Sequence, residues 1–265
     1  MTGAELSQAV EKWLGIKADP LDLARFKSWL WEKHGGESPE ILEKAFSSGQ
    51  AAGFLTVNET YFFREPAHFN FLNDFLSSLI DLYKAAQNNP VLRICSAAVS
   101  TGCEAYSIAM LIETFNKGLI KPIFYTIDAF DINPGAIETA LGGNYSPRTF
   151  REDGSSFHHI AENYMQKKSD PYKVDIGLKE NINFFVHNLL DEFPAKEYDL
   201  IFFRNAFIYF TPQSRIRVLN NLASSLKEGG ILIMGVSETA GVKHPSLDAK
   251  NRDDVFYFQK NNSVL

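Results

Sequence analysis

Four places in this sequence carry residue types that suit the binding of a small, charged ligand. A run of small residues at 96–104 (SAAVSTGCE) contains one glycine, Gly102, which would let the backbone pass close to a ligand. Asp131 carries a carboxylate that can accept hydrogen bonds from both hydroxyls of a ribose. Asn188 and Asn205 carry amides that can bind a purine edge or the amino-acid part of a ligand. These groups suit recognition of an adenosyl-type molecule, and the sequence shows no Ser-His-Asp or Cys-His arrangement that would indicate nucleophilic catalysis.

Each of these features also has an ordinary structural interpretation. Small residues are common in strand-to-helix turns, an aspartate can cap a helix, and asparagines form turns. The small-residue run lacks the GxGxxG spacing of dinucleotide-binding loops, and no Gly-Lys-Ser/Thr follows it as in a phosphate-binding loop. A small-residue turn followed by an acid about one βαβ unit later is nevertheless better evidence of a ligand site than either feature alone.

The elements that must position these residues are visible from residue 91 onward, where apolar runs with strand character alternate with helical patterns. The predicted strands are 91–97, 123–130, 182–186, 200–203, 231–235 and 255–259, and the predicted helices are 103–116, 134–141 and 213–227. This alternation predicts an α/β fold with a Rossmann-like, doubly wound, mainly parallel sheet. Ligands of such sheets bind beyond the carboxyl ends of the strands, which is where the residues above fall.

The rest of the chain differs from this pattern. Residues 1–57 show helical spacing throughout, with Ser38 suited to cap a helix that begins at Pro39, so they predict an N-terminal helical domain. Residues 58–265 are expected to form a second, catalytic domain. Within it, residues 143–180 are polar and too long for a connecting loop, so this segment should have structure of its own.

Composition excludes several classes of function. The net charge of −6 provides no overall basic field, so no nucleic-acid partner is expected. Apolar runs such as 200–203 and 231–234 are far shorter than a membrane span, and residues 1–13 lack the apolar region of a signal peptide, so no membrane insertion is expected. The two cysteines have no CxxC spacing and the six histidines no metal-binding spacing, so we expect a cytoplasmic protein without a metal.

Several segments together resemble the chemotaxis receptor methyltransferases, the CheR family. The matching segments, in family order, are residues 58–65 (NETYFFRE), 96–107 (SAAVSTGCEAYS), 129–133 (AFDIN), 188–191 (NLLD), 204–210 (RNAFIYF) and 235–238 (GVSE). The second segment departs from the family's pattern at Cys103 and Ala105 but retains Glu104. A thiol at residue 103 is expected to be small, apolar and inert.

The resemblance implies a protein-glutamate O-methyltransferase with S-adenosylmethionine as cofactor and S-adenosylhomocysteine as product. It also implies that residues 143–180 form an inserted β-subdomain. The residues that match the family's cofactor contacts are Asn58, Thr60, Arg64, Ala98, Glu104, Asp131, Asn188, Leu189, Asn205 and Ala206. Arg64 and Tyr209 are the candidate catalytic residues, because a guanidinium can hold a carboxylate in a fixed plane and a hydroxyl can fix a second contact. Without the resemblance, Arg64 would be interpreted as a surface ion pair and Tyr209 as a core aromatic.

The implied chemistry requires no base. The sulfonium makes the methyl group electrophilic, and a glutamate, with a pKa of about 4.3, is already ionised at neutral pH. The implied partner is the cytoplasmic domain of a methyl-accepting chemotaxis receptor. In some family members a glycine-rich loop grips a tethering pentapeptide, whereas residues 167–171 (KKSDP) lack glycine, so methylation without tethering is expected. No apolar stripe marks an interface, so a monomer is expected.

Three other functions remain open from the sequence. One is a nicotinamide-dependent dehydrogenase, although GxGxxG is missing. A second is a catalytically idle signalling-binding module that kept the fold. The third is a CheR-like methyltransferase that acts on another protein or a small carboxylic acid, because only Lys12, Lys17, Arg25 and Lys27 could form a basic strip for an acidic receptor.

Overall fold

The computed structural model describes residues 1–56, 59–85, 90–151, 157–166, 170–193 and 197–262. Within these ranges the strands are β1 (Val91–Ala97), β2 (Phe124–Asp131), β3 (Asn144–Tyr145), β4 (Met165–Gln166), β5 (Tyr172–Val174), β6 (Ile182–Val186), β7 (Tyr198–Phe203), β8 (Leu226–Met234), β9 (Leu247–Arg252) and β10 (Val255–Lys260). The α-helices are α1 (Gly3–Leu14), α2 (Pro20–His34), α3 (Pro39–Ser47), α4 (Ala52–Leu55), α5 (Pro66–Ala85), α6 (Cys103–Asn116), α7 (Pro134–Gly142), α8 (Phe157–Asn163), α9 (Ile176–Lys179) and α10 (Pro212–Ser225).

The main sheet has the strand order β6-β2-β1-β7-β8-β10-β9. Neighbouring strands from β6 to β8 run parallel, and β10 runs antiparallel to both β8 and β9. The predicted doubly wound, mainly parallel sheet is therefore confirmed. The direction in which strands are added reverses between β1 and β7, so the switch point lies where the small-residue run and residues 204–210 leave the sheet.

The sequence predicts most strands and helices of the sheet but misses α5 and β9. α5 buries Phe69, Leu72 and Leu76 on one side, a helical spacing that the sequence does contain. β9 buries only Leu247 and exposes its other residues, so its sequence lacks the alternation of apolar and polar residues that is typical of a strand. Pairing with β10, and not local sequence, makes this edge segment a strand.

Residues 3–55 form four helices, of which the first three begin at a side-chain N-cap. The Ser38 side chain, for example, accepts a hydrogen bond from the backbone N–H of Ile41. Two glycines allow these helices to lie close to the elements that cover the sheet. Gly49 has φ +71°, and a Cβ there would lie 2.7 Å from Pro134 at the start of α7. Gly15 has φ +70°, and its carbonyl accepts a hydrogen bond from Thr211. The helical region therefore shares a core with one face of the sheet.

Residues 143–180 contain a second, three-stranded antiparallel sheet with the order β3-β5-β4, flanked by α8 and α9. Residues 167–169, which belong to the turn discussed for tethering, lie outside the described residues. The division of the chain at residue 57 and the independence of the 143–180 segment stay predictions. Among the helices that the structure describes, none is both long and apolar enough to cross a bilayer.

Candidate functional site

A cleft of about 1000 Å³, open to solvent, lies at the carboxyl edge of the parallel strands. Loops after β1, β2, β6 and β7 form its floor, and the segment before α5 forms one wall. The sequence-predicted site residues that line it are Thr60, Arg64, Ala98, Glu104, Asp131, Asn188, Leu189, Asn205, Ala206 and Tyr209. Asn58 lies outside the described residues. The structure thus brings the described members of the predicted set to one place, although their individual roles stay predictions.

Asp131 ends β2 with its carboxylate inside the cleft, and the residue is 7% exposed. Its Oδ2 accepts a hydrogen bond of 2.8 Å from the N–H of Ser100, and its Oδ1 accepts one of 3.0 Å from the N–H of Asn133. Burial raises the pKa of Asp131, and the backbone N–H groups act in the opposite direction. Each oxygen retains a lone pair, so the carboxylate can accept the two hydroxyls of a ribose.

The loops around the cleft hold several non-glycine residues in the left-handed region. Phe63 (φ 54°), Glu65 (φ 59°), Ala98 (φ 59°), Ser100 (φ 53°) and Asn205 (φ 59°) all have this conformation. Such backbone geometry costs on the order of 1 kcal/mol or more per residue and persists only where surrounding contacts enforce it. The site is therefore strained in the way that functional sites often are.

Gly102 has a different role from the one that the sequence suggested. It has φ +90°, and a Cβ there would lie 2.8 Å from the Cβ of Ala140 and 3.1 Å from the hydroxyl of Tyr145. The glycine is needed for packing against α7 and β3 and does not line the cleft. The close backbone approach to a ligand belongs instead to Ala98 and Ser100, which do line it.

Arg204, which the sequence reasoning missed, organises the polar side chains of the cleft. Its side chain is 2% exposed. Nη1 donates to Oε2 of Glu104 at 2.9 Å, and Nη2 donates to the carbonyl oxygen of Arg64 and lies 3.4 Å from Oε2 of Glu65. The other oxygen of Glu104, Oε1, accepts a hydrogen bond of 2.7 Å from the Ser96 hydroxyl. One buried guanidinium therefore joins β1, α6, β7 and the segment before α5.

Two further carboxylates fix the loop that carries Asn205 and Tyr209. Glu238 is buried and accepts hydrogen bonds from the N–H groups of Asn205 (2.6 Å), Gly235 (3.1 Å) and Ile208 (3.2 Å). Burial raises the pKa of Glu238, and these backbone donors oppose the shift.

Glu65 accepts a hydrogen bond of 2.9 Å from the Asn205 side chain, and its Oε2 lies 3.2 Å from Nδ1 of His68. Burial alone would raise the pKa of Glu65. The adjacent His68 and Arg204 outweigh that effect and hold the pKa well below its usual value. Glu65 therefore stays ionised at neutral pH.

The two candidate catalytic residues, Arg64 and Tyr209, face the same cleft and are half-buried. Arg64 donates from Nη1 to the carbonyl oxygen of Glu59 at 2.8 Å, and its guanidinium carbon lies 5.6 Å from the ring centre of Tyr61. Tyr209 ends a short 3-10 turn, and its hydroxyl has no hydrogen-bond partner among the described residues. Both side chains can therefore reach a ligand in the cleft.

The N-terminal helices also contribute to the cleft, which the sequence did not predict. Leu14 and Ile16 line it, and Ile16 pairs with Phe210 in an isolated antiparallel bridge. Asn188 donates from Nδ2 to the carbonyl oxygen of Trp13 at 2.9 Å. One donor of the Asn188 amide is thus used to hold the end of α1 against the cleft.

The sheet order and the position of the cleft at the switch point define a Rossmann-like α/β protein with a ligand site at its carboxyl edge. Residues 58–253 match the family model described as "CheR methyltransferase, SAM binding domain". The chain belongs to this family, which confirms the resemblance seen in the sequence.

Several similar proteins carry the name chemotaxis protein methyltransferase. The one from Vibrio parahaemolyticus is 37% identical over 71% of this chain and 67% of the relative. The one from Borreliella burgdorferi is 36% identical over 89% of this chain and 83% of the relative. Among solved structures, YjhP from E. coli is 15% identical over 79% of this chain and 55% of that chain, with a TM-score of 0.37.

Family membership makes the chain an S-adenosylmethionine-dependent methyltransferase and confirms the predicted cofactor. The residues of the cleft fit this molecule. Asp131 offers a carboxylate for a ribose, Glu104 offers one for an ammonium group, and Ala98 and Leu189 provide apolar surface next to them.

Proposed function

We propose that this protein transfers the methyl group of S-adenosylmethionine to glutamate side chains on the cytoplasmic domain of a chemotaxis receptor, forming methyl esters. One observation carries the proposal: Arg64 and Tyr209 line the same cleft as the two acids, Glu104 and Asp131, that suit the cofactor. A cofactor held by the acids would thus share the cleft with groups that can orient an incoming carboxylate.

The cofactor supplies the electrophilic methyl group, so the protein's own residues need only orient the glutamate and exclude water. Positioning of this kind can account for about 7–11 kcal/mol of a reaction barrier. Arg64 is proposed to orient the carboxylate, and Tyr209 is proposed to donate a hydrogen bond from its hydroxyl. A glutamate is ionised at neutral pH, so neither residue has to remove a proton.

The proposed cofactor contacts follow from the position of the two acids in the cleft and from the hydrogen bonds that hold Glu104. Glu104 is held between Ser96 and Arg204, which keeps one carboxylate in a fixed orientation at the edge of the cleft. We assign it to the ammonium group of the cofactor and Asp131 to the ribose. Thr60, Arg64, Ala98, Asn188, Leu189, Asn205 and Ala206 are the further proposed contacts, together with Asn58 by resemblance alone.

The finer features of substrate recognition belong to the proposal as well. Methylation without pentapeptide tethering is proposed from the lack of glycine at residues 167–171, and a monomer in the cytoplasm is proposed from the sequence as a whole. The proposed basic strip is weaker than its sequence suggests, because Lys27 donates to the carbonyl oxygen of Met1 and lies 2.9 Å from Oε1 of Glu37. Arg25 lies 3.6 Å from Asp22. This loss of free positive charge favours, as a second candidate, another protein or a small carboxylic acid as substrate.

The proposal is tested by incubating the protein with labelled S-adenosylmethionine and a purified receptor cytoplasmic fragment, followed by a count of alkali-labile methyl esters. Esters on the receptor are expected. Label on a small acid or on another protein, with none on the receptor, would support the second candidate. No label on any of them would indicate an idle module.

Arg64→Ala separates chemistry from cofactor binding. We expect methyl transfer to fall by tenfold or more while affinity for S-adenosylhomocysteine, measured by calorimetry, changes much less. Equal losses in rate and affinity would restrict Arg64 to cofactor binding.

A further inference from the structure

A second arginine, Arg151, pairs with Glu59, a residue that lines the cleft and also contacts the candidate catalytic arginine. Arg151 Nη2 donates to Oε1 of Glu59 at 2.6 Å, and the two side chains are 51% and 60% exposed. Glu59 lines the cleft. Arg151 is not among the proposed cofactor or catalytic contacts, and its neighbours 152–156 lie outside the described residues.

Tyr61 connects the two arginines. The guanidinium carbon of Arg151 lies 4.2 Å from the ring centre of Tyr61, and that of Arg64 lies 5.6 Å from the same centre. Arg64 also donates to the backbone carbonyl of Glu59. The Glu59 carboxylate, both guanidinium groups and the tyrosine ring thus form one compact group, which we term the mouth cluster.

Contacts between the start of the 143–180 segment and the segment before α5 hold together the two backbones that carry the mouth cluster. The N–H of Phe62 donates to the carbonyl oxygen of Thr149 at 3.0 Å, and the rings of Phe62 and Phe150 stack with centres 4.5 Å apart. These contacts join the backbone near Arg151 to the backbone that carries Glu59 and Arg64.

Glu59 offers Arg151 the same chemical group that the proposed substrate presents. The hydrogen bond from Arg151 lowers the pKa of Glu59, so the carboxylate is ionised at neutral pH. To reach Arg151, a carboxylate of an incoming glutamate-rich segment would have only the solvent-exposed contact with Glu59 to displace. Exposed ion pairs contribute little to stability, so displacement is cheap.

We infer that Arg151 binds a carboxylate of the acidic substrate segment, and that Glu59 occupies Arg151 until the substrate displaces it. This inference rests on the proposed function, since it assumes a glutamate-bearing substrate. Arg151 would then determine the preference for acidic substrates, and Glu59 would act as a built-in competitor that weakens it.

Removing Glu59 and removing Arg151 have effects of opposite sign on substrate binding if the inference is right, but not if the two residues form an ordinary surface ion pair. If the pair only stabilises the fold, removal of either partner breaks the same contact and both changes act in the same direction. If Glu59 competes with the substrate, its removal frees Arg151 and improves substrate binding, whereas removal of Arg151 impairs it.

The experiment measures KM for the receptor cytoplasmic fragment at saturating labelled S-adenosylmethionine, by counting methyl esters. Glu59→Gln is expected to lower KM about threefold, the size of effect for one exposed ion pair. Arg151→Ala is expected to raise KM about fivefold, and Arg151→Lys should restore part of the loss because charge is kept but the planar fork is lost. The double variant Glu59→Gln/Arg151→Ala should match Arg151→Ala.

A matched control pair exists at the far edge of the sheet. Asp74 and Arg252 lie 3.8 Å apart and are 46% and 49% exposed. Asp74→Asn and Arg252→Ala should leave KM within the error of the wild type. If Glu59→Gln and Arg151→Ala shift KM in the same direction, or neither shifts it while esters still form, the inference is wrong and the proposed function stands. If no variant and no wild-type protein forms esters on the receptor, both fall together.

Discussion

Replacing Arg204 by methionine tests whether this buried guanidinium holds the site together. The change removes the positive charge that Glu104 and Glu65 share and the donor to the carbonyl oxygen of Arg64. Breaking a buried pair by removing one partner typically costs about 3–5 kcal/mol, because a buried charge is left uncompensated. The carboxylates remain partly solvated, with side chains 14% and 22% exposed, so we expect the lower end, about 3 kcal/mol.

That loss is a large fraction of the roughly 5–15 kcal/mol by which a domain is stable. For a chain of this size it corresponds to a fall in Tm of about 6–12 °C. Urea unfolding and thermal melting, both followed by circular dichroism, measure the two quantities. Arg252→Met is the control, because that arginine is 49% exposed and its loss should change stability by no more than about 0.5 kcal/mol.

A double variant tests whether the uncompensated charge of Glu104 causes the destabilisation. In Arg204→Met/Glu104→Gln the uncompensated charge of Glu104 is gone, so we expect the double variant to be less destabilised than the sum of the single changes by about 1 kcal/mol or more. Additive effects, or a loss below about 1 kcal/mol for Arg204→Met alone, would show that the network does not depend on this charge.

Three other predictions concern separate parts of the molecule. Asp131→Ala should weaken S-adenosylhomocysteine binding about a hundredfold or more, since two charge-assisted hydrogen bonds of about 1.5–3 kcal/mol each are lost, and unchanged affinity by calorimetry would remove the residue from the ribose. Gly49→Ala should destabilise the protein by about 1–3 kcal/mol more than Gly35→Ala in urea unfolding, because both glycines have positive φ but only at Gly49 would a Cβ meet other atoms. Burial raises the pKa of Cys103 to about 12 and that of Cys95 well above its usual value, so at pH 8 neither thiol should react with a disulfide reagent until the protein is unfolded.

Local sequence patterns predict the parts of this fold that local chemistry decides. Asp131 follows an apolar run and precedes Asn133-Pro134, so its position at a strand end can be read directly. The carboxyl ends of parallel strands meet at one edge, which explains why residues far apart in sequence line one cleft.

The features that were missed depend on contacts between distant segments. Helical spacing shows that Leu14 and Ile16 belong to an apolar region but not that they cover a ligand cleft. Arg204 opens the family segment 204–210, but its role as a buried ion-pair partner has no local signature, because the carboxylate of Glu104 lies 100 residues away in the chain. Gly102 was correctly expected at a tight turn, but its neighbours Ala140 and Tyr145 could not be known from its own segment.

The left-handed residues around the cleft carry a consequence for engineering. Glycine at Ala98 or Ser100 would relieve an unfavourable backbone conformation, yet it would also free the unfolded chain and slacken the loop that meets the ligand. A substitution made there to raise thermal stability would therefore also change the loop that binds the ligand. Stabilising substitutions should leave this loop unchanged and begin at the edge strand β9, where most side chains are exposed and far from the cleft.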